Sequence, residues 1–155
     1  MPFRCGGTIH GMAASAHGRG LTILRIFLGV FFLFEAIGKI GWFTDSAALT
    51  KQLSGWLENA GPWNRWYLEH VCLPGAAVFA RVVPLGEASA AIALLLGAYV
   101  RPAAALALLL VLNFHFASGA IFRYSFLTNG YGLPVVGGLL ALAIGGSSLP
   151  FSLKK

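Results

Sequence analysis

Arg25, Glu35, Lys39, Glu87, Asn113 and His115 are polar side chains set within long apolar runs of the sequence. Ionisable groups at membrane depth are costly, so each needs a partner or a task. Glu35 and Lys39 are spaced i, i+4 in the order that brings a carboxylate and an ammonium onto one helix face, and an internal ion pair is the plain reading. Glu87 has no cation three or four residues away, and Arg81, six residues off, lies on another face. Its carboxyl group therefore needs Arg25, Lys39 or His115 from another helix, or a backbone donor, or else it exchanges a proton. His115 is either a helix-to-helix hydrogen-bonding residue or a ligand-facing one. Asn113 sits about 200° round the same helix and cannot point at the same centre. Arg25 lies near the end of its run, where it can snorkel to the interface or serve a site. No Cys-x-x-Cys occurs, no Cys/His set has metal-ligand spacing, and one histidine at span depth leaves no His-His haem site.

The segments that must position these groups follow from composition. In 155 residues, 57% are hydrophobic and 10% charged, against roughly 25% charged in soluble proteins. A normal water-facing shell cannot be built, which excludes a cytosolic enzyme. The net charge of +6 is carried by cations scattered singly between apolar runs, unlike the clustered basic face of a nucleic-acid binder. Spanning ~30 Å of hydrocarbon takes about 20 helical residues, and such stretches run from Leu21 to Phe43, Ala76 to Val100, Pro102 to Phe122 and Leu133 to Leu149. Lipid offers nothing to unsatisfied backbone groups, and too few alternating strands exist to close a barrel. The expectation is an all-α membrane protein, a bundle of four transmembrane helices. Pro84 should kink the second helix near Gly86. Two stripes of small residues, Ser89/Ala93/Gly97 and Gly137/Ala141/Gly145, permit close helix contact. Counted from the outer ends, Glu35 lies about 12 Å deep, Glu87 about 15 Å and His115 about 10 Å. Three helices thus place polar groups at one level.

Residues 1–20 read as a retained N-terminal tail, residues 21–149 as the membrane domain and residues 150–155 as a short basic tail. Within the domain, residues 44–75 differ in character: Leu49, Leu53, Trp56 and Leu57 form an apolar stripe opposite Lys51, Gln52 and Glu58. That pattern predicts an amphipathic helix lying on the bilayer surface, followed by a headgroup-level cluster of Trp63, Trp66 and Tyr67. The loop could equally cap a soluble partner. Arg4, Arg19, Arg101, Lys154 and Lys155 fall on the side without acidic residues, so the positive-inside preference puts both termini in the cytoplasm.

The stretches LRIFLGVFFLFEAIGKI, LGEASAAIALLLGAYVRPAAALALLL and NFHFASG resemble, as an ordered set, the DoxX/DoxD-like membrane proteins. The resemblance covers about Leu21 to Leu149, and its matching residues are Arg25, Gly29, Gly38, Lys39, Glu87, Gly97 and Arg101, with His115 beside them. It implies a four-helix membrane bundle in a bacterial cytoplasmic membrane and, for the DoxD-like branch, the quinone-linked subunit of a thiosulfate:quinone oxidoreductase. Nothing in the chain recognisably binds thiosulfate, so that role needs a second, water-exposed subunit. On this reading Glu87 and His115 are the catalytic candidates, and Arg25, Lys39 and Asn113 are candidates for holding a quinone. The other reading is a non-catalytic accessory subunit that docks on a larger respiratory or photosynthetic complex. Both have lipid and other membrane subunits as partners, and neither involves nucleic acid. Under the assigned topology Cys5 and Cys72 face opposite compartments and cannot pair within one chain. An impermeant thiol reagent added to intact cells is expected to spare Cys5; labelling of Cys5 but not Cys72 would reverse the orientation.

Overall fold

The computed structural model describes residues 7–147 and 149–153, so Arg4, Cys5, Lys154 and Lys155 lie outside the described residues. Among these, every regular element is helical: α1 (Gly7–Gly38), α2 (Ala47–Glu58), α3 (Pro62–Tyr67), α4 (Ala76–Leu96), α5 (Val100–Ala117), α6 (Ser125–Thr128) and α7 (Leu133–Gly145). A π-helical turn, Leu68–Cys72, follows α3, and short 3-10 turns span Ile40–Phe43 and Ala120–Phe122. The first helix begins inside the stretch read as a tail. Three helices are long and apolar enough to cross a membrane: Ala16–Gly38 with 23 residues, Ala76–Leu96 with 21 and Val100–Ala117 with 18. Helix α7 has 13 residues and covers about 20 Å, short of the ~30 Å hydrocarbon thickness. The fourth expected span thus ends at Gly145, where Gly145-Gly146 stops the helix, and residues 149–153 turn under the bundle. The third ends at Ala117, before Gly119 with its left-handed φ of 71°.

Helices α1, α4, α5 and α7 pack in a ring, α1 on α4, α4 on α5, α5 on α7 and α7 back on α1. Its core joins Leu28, Phe32, Ala91, Leu94, Ala104 and Leu139. Small residues let the axes approach. A Cβ on Gly29 would lie 2.8 Å from Leu95 Cγ and 3.2 Å from its backbone nitrogen, so α1 and α4 touch there as only glycine allows. Against α1, helix α7 uses Gly138 and Gly145. Gly137, expected in that seam, is exposed. Pro84 lies inside α4 without interrupting it. The outer faces carry Phe27 at 72%, Leu106 at 68% and Ile144 at 69% exposure, an apolar belt that only lipid or another apolar surface can cover.

Arg25 ties the lower end together. Its residue is 1% exposed, and its guanidinium donates to the Leu94 carbonyl at 2.6 Å, the Leu95 carbonyl at 3.2 Å and the Phe151 carbonyl at 3.1 Å. These are carbonyls at the end of α4, where a cation also meets the negative end of the helix dipole. Gly97 closes that helix at φ 69°, and a side chain there would collide with Arg25 and Ser152. Arg25 is therefore held at the lower end of the bundle, apart from Glu35, Lys39 and Glu87.

The stripe on α2 does not lie on the bilayer. Leu49 and Leu53, at 3% and 4% exposure, pack with Leu68, Cys72, Ala76, Ala80 and Ala117 at the upper end of the bundle. Trp56 meets Phe114 edge-on at 5.6 Å. The apolar surface that this stripe covers is the protein's own, formed by the upper ends of α4 and α5 and the π turn. Trp63 and Trp66 remain 77% and 59% exposed. Burial pushes the Cys72 thiol above its ordinary range, so Cys72 acts as a packing residue and Ser54→Cys, on the exposed face of α2, is the better reporter of sidedness. In single-tryptophan variants, lipid-borne quenchers should quench Trp63 and Trp66 fluorescence and leave Trp56 largely untouched. Equal quenching of Trp56 would return α2 to the membrane surface.

Candidate functional site

Sequence places Glu35 one turn before the end of α1 and Lys39 just beyond it, so the i, i+4 spacing carries the ammonium back over the helix end. Lys39 Nζ lies 2.6 Å from Glu35 Oε2 and donates also to the Glu35 carbonyl at 3.3 Å. From α4, Glu87 Oε1 accepts a third bond from the same ammonium at 2.9 Å. Lys39 is therefore the cation that Glu87 required, and α1 supplies it. The ammonium also stands 5.8 Å from the Trp42 ring centroid and 5.9 Å from that of Phe114, within the reach of cation–π attraction. Beside Glu87 on α4, Gly86 faces α5: a Cβ there would lie 3.1 Å from Leu110 Cδ1.

These groups line a cavity of about 350 Å3 bounded also by Phe31, Phe32, Val111, Phe114 and His115. That volume is within the span of small-molecule sites, about 300–1,000 Å3. The Glu87 side chain is 5% exposed, and its Oε2 is buried without a hydrogen-bond partner. His115 Nε2 lies 2.8 Å from the Tyr131 carbonyl. A carbonyl only accepts, so Nε2 carries a proton in this hydrogen bond. Phe126 packs edge-on against the same ring at 5.0 Å. The cavity thus combines apolar aromatic walls with one ammonium, two carboxyl groups and one imidazole. The donor set suits no metal: among the described residues no group of three His, Cys, Asp or Glu could hold one.

Glu35, Lys39, Glu87 and His115 thus stand together, and two sequence candidates stand apart. Arg25 lies ten residues before Glu35 on α1, about 15 Å below it, with its two terminal guanidinium nitrogens donating to α4 and Phe151 and its Nε buried without a partner. Asn113 faces the other side of α5, where its Oδ1 accepts from the Tyr67 hydroxyl at 2.6 Å, beside a smaller space of about 30 Å3 that Cys72 also lines. Among the polar lining residues, Gln52, Ser118 and Tyr131 were not candidates from the sequence. Gln52 belongs to the polar face of α2, which its periodicity assigned to water, and Tyr131 comes from a turn without any motif.

The DoxX family model matches residues 20–119, from the first membrane helix through the end of α5. That stretch contains Glu35, Lys39, Glu87 and His115 and leaves Tyr131 and α7 outside it. No curated protein and no solved structure matches the chain.

Replacing Lys39 by methionine strands two carboxylates beside an apolar wall, and breaking a buried pair in this way costs about 3–5 kcal/mol. Lys39→Met should therefore lower the Tm of the detergent-solubilised protein sharply, and adding Glu87→Gln should recover part of the loss. An unchanged Tm in the single variant would show that the ion cluster contributes nothing to stability.

Proposed function

The chain belongs to the DoxX family of membrane proteins, and from that premise we propose that it is the membrane subunit of a quinone-linked redox system, with the cavity between α1, α4 and α5 as its quinone site. The observation that carries this reading is the under-satisfied carboxyl group of Glu87, set beside His115 in an aromatic-walled cavity on helices long enough to cross a membrane. A quinone bound there supplies the electron chemistry, because its interconversion with the hydroquinone takes up or releases two electrons and two protons. The chain's own residues have simpler tasks. Phe31, Phe32 and Phe114 hold a ring and exclude water, Glu87 and His115 hold or pass protons, and Lys39 fixes Glu87 in place. Electrons have to come from a partner bearing a flavin, haem or iron–sulfur centre, which agrees with the DoxD-like resemblance to the quinone-linked subunit of thiosulfate:quinone oxidoreductase. On this reading the protein lies in a bacterial cytoplasmic membrane with both termini inside, and α7 with its flanking turns completes a fourth crossing.

A second reading is favoured by the shelf of Pro62, Trp63, Trp66, Tyr67 and Phe116 above the bundle, an exposed aromatic surface suited to docking on another subunit. In that case the protein is an accessory subunit and Glu87 is a structural partner of Lys39.

Glu87→Gln separates the two when assembled yield and turnover are measured on the same preparation. The quinone reading expects normal yield and at least a tenfold loss of quinone-linked turnover, about 1.4 kcal/mol or more in the barrier. The accessory reading expects turnover of the assembled fraction to stay intact and only yield or stability to change.

A further inference from the structure

Hydrogen-bond bookkeeping around the cavity points to the redox state of the ligand that fits it, an inference that rests on the quinone reading. An ammonium has three N–H donors and no more. Those of Lys39 are matched by Glu35 Oε2 at 2.6 Å, Glu87 Oε1 at 2.9 Å and the Glu35 carbonyl at 3.3 Å. The one cation at the cavity therefore has no donor left for a ligand carbonyl. Ser118 is similarly committed: its hydroxyl donates to the His115 carbonyl at 3.3 Å and accepts from the Ala120 N–H at 3.4 Å.

The groups that remain are acceptors. A carboxylate offers about four lone-pair sites, and that of Glu87 receives the single bond from Lys39, its Oε2 being buried without a donor. Among the described residues, Glu35 uses only Oε2. His115 gives its Nε2–H to the Tyr131 carbonyl, and in that tautomer of the neutral ring Nδ1 is an acceptor. The charged and titratable groups around Glu87 are Glu35 from α1, Lys39 just beyond its end, His115 from α5 and the Tyr131 phenol from the turn before α7, while α2 contributes the neutral Gln52. Two carboxylates against one ammonium give the cluster a formal charge of −1, which also favours a donor over the lone pairs of a carbonyl. Gln52 and Tyr131 also line the cavity and carry donors, but both are exposed residues.

We propose that this cavity selects the hydroquinone form of a quinone, its hydroxyls donating to the Glu87 carboxylate and to His115 Nδ1, over the oxidised dicarbonyl form. The quinone would find free donors only on the exposed Gln52 and Tyr131 unless Glu87 itself carried a proton. Selectivity of this kind ties the ligand's redox state to the hydrogen-bonding character of one side chain.

Duroquinone and its hydroquinone serve as probes, titrated anaerobically into the purified full-length chain in mild detergent. The wild type should bind the hydroquinone about tenfold more tightly, the worth of one charge-assisted hydrogen bond. Glu87→Gln offers an amide donor in place of a carboxylate oxygen and should bring the ratio to parity or reverse it. His115→Phe, which removes the second acceptor and keeps a flat ring, should shrink the preference without abolishing binding, and it carries the test if the Gln variant does not fold. Equal or tighter binding of duroquinone by the wild type overturns the selectivity while leaving the quinone site standing, as does an unaltered ratio in the folded variants. Failure of both probes to bind the wild type removes the quinone site and the selectivity with it.

Discussion

The upper half of the bundle depends on one ammonium group held between two carboxylates. Lys39 joins the end of α1 to the middle of α4 through Glu35 and Glu87. The buried Glu87 carboxylate depends on that ammonium for compensation of its charge, whereas the partly exposed Glu35 shares it from the same chain segment. The contact therefore fixes how far α1 is slid along α4 and how each is turned about its axis. At the lower end Arg25 does the same for the same two helices by a different means, closing the carbonyls of α4 and reaching Phe151. With α1 and α4 pinned at both ends, the apolar contacts between them, Gly29 against Leu95 included, have one register available.

That arrangement leaves the ion cluster incomplete. A purely structural salt bridge in lipid would be expected to satisfy its carboxylates with further donors. Here Glu87 keeps a buried oxygen without one, and an open volume lies alongside. The same lysine that makes the carboxylate tolerable at this depth is fully spent in doing so, and whatever enters the cavity meets the surplus of acceptors. Stability and the proposed binding chemistry thus share residues, which is why a variant here has to be judged on assembly and on ligand together.

The second organising feature is the way the segment between the first two membrane helices folds back. Helix α2 seals the top of the bundle with Leu49, Leu53 and Trp56 and brings Gln52 to the cavity, whereas α3 leaves Trp63 and Trp66 facing outward. One half of the segment is built into the core, and the other half is an exposed aromatic surface.

Much of this was legible in the sequence. Apolar runs of span length with isolated charges require membrane helices, because hydrocarbon penalises any other backbone and that constraint is local to each run. The i, i+4 pairing of Glu35 with Lys39 is likewise local, and so is the need of Glu87 for a cation from elsewhere. Depth counting even brought Glu35, Glu87 and His115 to one level, since rise per residue is fixed within a helix. What depended on tertiary structure was every choice between helices. Lys39 rather than Arg25 meets Glu87, Asn113 turns to Tyr67, and the stripe of α2 covers protein instead of lipid. An apolar stripe has the same spacing whether its partner is lipid or a neighbouring helix. Which one it meets is decided by where small residues let two helices touch and by which polar groups must then find each other, and those are properties of the packed chain.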